Sequence, residues 1–136
     1  LDGNGGGLIA APTDQSNAAE WGCFGTLIGA DGTAIGTGNQ NTIDIEAGCT
    51  ETGTAADICA NLTLGGYSDW FLPSKDELNE MYQNKSTIGG FANTNYWSST
   101  EGGSNGYAWT HVFSNGNQMT NFKDNSFIVF RAVRAF

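Results

Sequence analysis

The chain has 136 residues, of which 39% are hydrophobic and 12% aromatic, so it is sized for one domain with its own core. It carries 14 Asp and Glu residues against five Lys and Arg residues, which gives a net charge of −9 at pH 7. This charge argues against nucleic acid, anionic membranes and sulfated glycans as partners, because like charges repel. No apolar run reaches membrane-spanning length, so we expect no direct membrane insertion.

The N-terminal segment is rich in turn residues, and an apolar run follows it. The chain opens in a glycine-rich stretch over residues 2–7, where a mature domain rarely begins. We therefore expect a single domain over residues 1–136 that lacks its first strand or an upstream segment. The apolar run over residues 8–11 predicts a buried strand, and the Gly- and Thr-rich residues 22–42 predict a long loop.

Two short helices are predicted after this loop, over residues 42–47 and 55–62. Gly48 is expected to end the first helix. Thr54 is the predicted N-cap of the second helix, and Asp57 three positions later is placed to bond back to it.

The three cysteines leave one without a partner. Cys23 and Cys49 lie in Gly-rich loops, whereas Cys59 lies among the apolar residues of a predicted helix. We therefore expect a Cys23–Cys49 disulfide with Cys59 as a buried thiol, and Cys49–Cys59 is the alternative pairing. The spacing of the cysteines fits no zinc pattern, so we expect no metal site.

The clearest helix signal lies in the middle of the chain. Residues 67–72, three of which are aromatic, predict a strand that ends at Pro73. Ser74 and Glu77 then have the spacing of a capping box, which predicts a helix over residues 75–84. The apolar face of this helix is formed by Leu78, Met81 and Tyr82.

The C-terminal part has the pattern of strands and tight turns. Residues 95–99 predict a strand, and Asn-Gly pairs at 105–106 and 115–116 predict hairpin turns. The largely apolar residues 127–136 predict a central, covered strand. The fold class is therefore α+β, with two or three helices packed on a small antiparallel sheet.

A two-residue turn at Asn115-Gly116 would divide the hairpin into two faces. The face expected to point outward pairs Ser114 with Asn117, Val112 with Met119, and Thr110 with Asn121. The face expected to pack on the core pairs Phe113 with Gln118, His111 with Thr120, and Trp109 with Phe122. The outward set mixes small polar and apolar side chains, as binding surfaces do. An ordinary half-exposed hairpin is the alternative interpretation.

No arrangement of residues predicts catalysis. The only histidine, His111, falls on the inward face, and the cysteines have no neighbouring base to lower a thiol pKa. No phosphate-binding loop opens a helix after a strand. We therefore expect no enzyme activity and no cofactor.

Several sequence blocks resemble one family. Residues 69–78 (DWFLPSKDEL), residues 96–101 (YWSSTE) and the ending over residues 131–136 (RAVRAF) resemble blocks of the DUF1566 family, in the same order. This family is also called the Legionella collagen-like protein C-terminal domain family. The resemblance implies a C-type-lectin-like fold, related to formylglycine-generating enzymes, on bacterial extracellular or phage proteins. Neither the calcium-dependent sugar motifs of true C-type lectins nor the cysteine pair of those enzymes is present.

The resemblance also implies a binding role. Related domains are targets of diversity-generating retroelements, which rewrite codons upstream of a fixed ending like RAVRAF, and half of the 14 asparagines lie between residues 93 and 128. We therefore expect a diversified domain at a cell surface or phage tail that binds a protein or glycan on another cell. A fixed adhesin or a homo-oligomeric, trimeric stalk cap is the alternative. The candidate ligand-binding residues are Asn95, Gly103, Asn105, Tyr107, Thr110, Val112, Ser114, Asn117, Met119, Thr120, Asn121, Phe122, Asp124, Asn125, Ser126 and Phe127.

Overall fold

The computed structural model describes residues 7–15 and 18–136, and these form an α+β fold, as predicted. The residues described contain four helices rather than two or three, because a single-turn helix follows the main one. In chain order the elements are β1 (Leu8–Ala10), α1 (Gly38–Gly48), α2 (Ala55–Ala60), α3 (Lys75–Gln83), α4 (Lys85–Ile88), β2 (Asn95–Glu101), β3 (Tyr107–Val112), β4 (Gln118–Phe122) and β5 (Val133–Ala135). The predicted turns over residues 2–6 lie outside the described residues.

Two small antiparallel sheets organise the molecule. One has the order β2-β3-β4, and the other joins β1 to β5 near the two ends of the chain. Apolar clusters cover both faces of the β2–β3 pair: Trp97 and Ala108 belong to one cluster, and Tyr96 belongs to the other. Strands β2 and β4 are the two edge strands of the three-stranded sheet. The residues of β2 are almost all buried, whereas those of β4 are exposed or partly buried, so β4 is the outer strand that faces solvent.

The predicted helix and strand after Pro73 are present. Helix α3 carries the capping box: Ser74 Oγ accepts from the Glu77 N–H, and Glu77 Oε1 accepts from the Ser74 N–H. Strand β2 begins at Asn95, as predicted, and continues to Glu101. Local signals were sufficient here because each of these elements is specified by residues within its own segment.

Three predicted segments differ in the structure. Helix α1 begins at Gly38, because its start is fixed by packing, with buried Asn41 bonding to the backbone of Gly32, rather than by helix propensity. The predicted strand over residues 67–72 forms only isolated bridges, at Tyr67 and at Phe71. In the C-terminal stretch only β5 is a strand; residues 128 and 130–134 are buried, while Phe127 and Phe136 are exposed.

The β3–β4 hairpin has a different register from the prediction. Thr110 pairs with Met119 instead of Asn121, and a four-residue loop over residues 113–116 replaces the two-residue turn. The loop is longer because Phe113 turns into the core, where it is fully buried. Since the register changes by two residues, each side chain stays on its predicted face of the ribbon.

The cysteines have the expected pairing. Cys23 and Cys49 form a disulfide with a Cα–Cα distance of 5.8 Å, and Cys59 is a free, buried cysteine of helix α2. Burial raises the pKa of the Cys59 thiol, which keeps it protonated and unreactive. Among the residues that the structure describes, no helix combines the length and the apolar character needed to cross a membrane.

Candidate ligand-binding surface

The predicted site residues differ widely in exposure. The exposed ones are Gly103, Asn105, Tyr107, Ser114, Asn117, Met119, Phe122, Asp124, Ser126 and Phe127. The partly buried ones are Asn95, Val112, Thr120, Asn121 and Asn125. Thr110 alone among the predicted residues is buried, so its prediction as a contact residue is wrong. Its hydroxyl donates to the Met119 carbonyl and accepts from the Asn121 amide, which makes it a structural residue of the hairpin.

Helix α3 explains why the predicted inward face is only half covered. It packs on β3, where Tyr82 lies 4.7 Å from the His111 ring and Lys75 Nζ lies 3.9 Å above the Trp109 ring. Phe122 of β4 was placed on the same inward face by strand alternation and was also predicted as a ligand-binding residue, and it is 52% exposed. Strand β4 therefore contributes side chains of both faces to the surface.

The exposed residues fall into two groups at opposite ends of β4. Ser114 and Asn117 lie at the hairpin loop. Gly116 of the same loop lies close to the Tyr82 ring of α3. Tyr107 and Phe122 lie at the other end of the hairpin. The two ends are about 14 Å apart, at about 3.4 Å per residue of strand. A single small ligand therefore contacts one end and not both.

Three aromatic rings are exposed together at the Tyr107 end. Tyr107 and Phe122 stack with ring centroids 4.8 Å apart, and Phe24 lies 6.2 Å from Phe122. We call Phe24, Tyr107 and Phe122 the aromatic surface. Phe24 was missing from the sequence prediction because its loop has no periodic pattern. The available signal was two large apolar residues, Phe24 and Leu27, in a Gly-rich loop, and both are exposed.

Backbone hydrogen bonds join the three segments that carry these rings. The Gly22 N–H donates to the Lys123 carbonyl at 3.1 Å, and the Gly25 N–H donates to the Asn105 carbonyl at 3.1 Å. The Lys123 N–H donates to the Gly106 carbonyl at 3.0 Å. The Cys23–Cys49 disulfide holds the first segment at a further point. The aromatic surface is therefore presented on fixed backbone.

A buried ion pair lies beneath this surface. Lys123 Nζ is 2.6 Å from Glu101 Oε2, and the two side chains are 0% and 1% exposed. The Glu101 carboxylate also accepts from the N–H groups of Ile28 and Gly29, and Lys123 donates to the Thr26 carbonyl. These bonds satisfy both charges and fix the loop over residues 26–29 against β2 and the end of β4.

The chain matches the model of the Lcl C-terminal domain over residues 13–134. It belongs to that family. The match covers nearly the whole chain and confirms the family suggested by the sequence blocks. No curated protein matches the chain.

Residues of the blocks at 96–101 and 131–136 make ion pairs that stabilise the fold. Arg131 is buried and donates to Asp14, Gly89 and Gly90, with Nη2 2.9 Å from Asp14 Oδ1. Arg134 pairs with Asp69 at 2.7 Å, and this pairing holds the pKa of Asp69 below its usual value. Glu101, the last residue of the YWSSTE block, anchors the loop over residues 26–29. The three residues of the aromatic surface, Phe24, Tyr107 and Phe122, lie outside these blocks.

His111 lies in strand β3 of the hairpin, and its ring is closed off from solvent. It is 1% exposed, and neither ring nitrogen has a hydrogen-bond partner. Desolvation by burial lowers its pKa, so the ring is neutral at pH 7. Its contacts are the rings of Tyr82 and Phe113, which makes it a packing residue.

Proposed function

We propose that this chain is an extracellular ligand-binding and adhesion domain of the C-type-lectin-like class, and that it contacts its ligand through the aromatic surface. The observation that carries the proposal is the exposure of Phe24, Tyr107 and Phe122 on backbone fixed by hydrogen bonds and a disulfide. Exposed aromatic side chains are enriched at the centres of protein interfaces, because they bury a large area at a small entropic cost.

Two features support an extracellular location at a cell surface or phage tail. The Cys23–Cys49 disulfide is typical of proteins in oxidising environments, outside the cytosol. Membership in the Lcl C-terminal domain family agrees with a surface-associated, adhesin-type protein rather than with an enzyme.

We further propose that the binding face is diversified in sequence. The exposed residues of the hairpin and its flanking loops, such as Asn117 and Met119, can be replaced without opening the core. Residues that fix the fold, such as Lys123 and Arg131, are buried. This separation of fold from surface is what a diversified domain requires.

Binding is tested with beads that display the domain, applied to an array of neutral glycans and an array of synthetic peptides of defined charge. We expect selective retention on at least one array, and loss of retention in the Phe24→Ser/Phe122→Ser variant. The matched control is Ile43→Ser, which removes an apolar side chain that is 51% exposed on α1. The proposal would be contradicted if the unmodified domain, the Phe24→Ser/Phe122→Ser variant and the Ile43→Ser variant were retained equally. It would also be contradicted if the unmodified domain showed no selective retention.

Diversification is tested on the DNA of the locus. We expect a near-copy of the codons for residues 93–136, with adenines at the mismatched positions, beside a reverse transcriptase gene. A locus without this near-copy and without a reverse transcriptase gene would favour a fixed adhesin that uses the same surface.

A further inference from the structure

All five cationic side chains of the protein are engaged by internal partners. Their partners are the Trp109 ring for Lys75, the Phe113 carbonyl and Tyr82 ring for Lys85, Glu101 for Lys123, Asp14 for Arg131 and Asp69 for Arg134. Three of these cations are buried, and the other two are partly buried. The cationic side chains therefore stabilise the fold through internal contacts and leave little positive charge at the surface.

The carboxylates, by contrast, exceed these cations by nine. Most of those among the described residues are exposed or partly buried. Two of them lie beside the aromatic surface. Glu51 is exposed and accepts from the N–H of Cys23, the residue before Phe24. Asp124 is exposed two residues after Phe122. The aromatic surface thus combines exposed ring faces with neighbouring negative charge, whereas the nearest cation, Lys123, is buried and paired.

We infer that the aromatic surface binds a basic segment of a protein partner, with an arginine side chain of that segment stacked on the rings. This inference rests on the proposed function and names the class of ligand. A guanidinium group is attracted to the negative face of an aromatic ring and stacks on it as a plane, which an ammonium group cannot do. The carboxylates Glu51 and Asp124 supply the complementary charge, and the net charge of −9 steers a basic partner towards the domain.

The test uses a fluorescein-labelled nonapeptide of alternating arginine and serine, and measures its affinity for the purified domain by fluorescence anisotropy. Matched peptides carry lysine or neutral citrulline in place of arginine. We expect the arginine peptide to bind several-fold more tightly than the lysine peptide, and the citrulline peptide to bind at least about tenfold more weakly. Raising the salt from 50 to 500 mM should weaken binding about tenfold, because the charges are exposed to screening.

Two pairs of variants separate a local site from a general charge effect. Glu51→Gln/Asp124→Asn and the control Asp44→Asn/Asp76→Asn remove the same charge, the first beside the rings and the second from helices α1 and α3. We expect about a fivefold loss of affinity in the first and less than twofold in the second. Phe24→Leu/Phe122→Leu keeps the surface apolar but removes two rings, and it should also weaken binding about fivefold.

The inference is overturned if the two charge variants lose affinity equally, if the leucine variant binds like the unmodified domain, or if citrulline replaces arginine without loss. It is also overturned if the arginine peptide does not bind. Retention of the domain on the neutral glycan array, lost on replacement of Phe24 and Phe122 by serine, would then leave the proposed function intact. Retention on neither array would reject both.

Discussion

Replacing Lys123 with methionine should lower the free energy of unfolding by about 3–5 kcal/mol, the usual cost of removing one partner of a buried ion pair. The upper part of this range applies because Glu101 is only 1% exposed in its side chain, so water cannot replace the lost ammonium group. The remaining donors to the carboxylate are the N–H groups of Ile28 and Gly29. Against a typical total of about 5–15 kcal/mol, this loss is a large part of the stability of the domain.

Urea denaturation followed by circular dichroism measures this change. The control is Lys75→Met, whose ammonium group lies over the partly exposed Trp109 ring and should contribute at most about 1 kcal/mol. The Glu101→Gln/Lys123→Met variant should recover part of the loss, because it leaves no unpaired charge in the interior. A cost below about 1 kcal/mol for Lys123→Met, or a double variant that costs the sum of the single variants, would refute the reasoning.

Three further predictions concern stability. Burial lowers the pKa of His111 below 6.5, so the unfolded chain binds a proton first and stability should fall as the pH drops through 6.5 towards the folded-state pKa. The slope from this group is at most about 1.4 kcal/mol per pH unit, and urea titrations of His111→Phe should lack it. Replacing Cys23 and Cys49 with serine should cost roughly 3.5 kcal/mol for a separation of 26 residues, which denaturation with and without reductant checks. Gly38→Ala should lower the thermal midpoint, at a cost of roughly 1–3 kcal/mol, because its Cβ would collide with the backbone before α3, whereas Gly103→Ala meets open space and should be neutral.

The sequence was sufficient where a local interaction specifies the structure. Ser74 and Glu77 bond to each other's backbone across one turn, so the start of α3 was predictable from their spacing. The disulfide was predictable because Cys59 lies on a buried helix and so leaves Cys23 and Cys49 as the loop pair.

The sequence was insufficient where distant residues decide the structure. The hairpin register depends on Phe113, which turns inward to pack against Tyr82 and Phe91 and whose carbonyl accepts from Lys85, all of which lie outside the hairpin. Alternation within the strands places side chains on faces, but it cannot tell how far a helix covers each face. Alternation placed Phe122 on the inward face, and its exposure follows from how little of that face the helix covers.

The candidate site was predictable on the hairpin and its loops, but not on the loop that completes it. Phe24 precedes its partner Phe122 by nearly a hundred residues, and no periodicity links them. Lys123, which follows Phe122, donates from Nζ to the Thr26 carbonyl in the loop that carries Phe24. The sequence signal for this loop was the pair of large apolar residues, Phe24 and Leu27, in the Gly-rich segment after Cys23.

The division between buried and exposed residues limits which positions can vary in a diversified domain. Thr110 bonds to both Met119 and Asn121, so replacing it would disturb the hairpin that carries the surface. Met119 itself is 47% exposed on the outer strand and contributes little to the core. If the locus carries a template repeat, its mismatched codons should therefore include that of Met119 and spare those of Thr110 and Lys123. A repeat that replaces Lys123 by a residue without a cationic side chain would leave Glu101 unpaired in the interior, at a cost of about 3–5 kcal/mol.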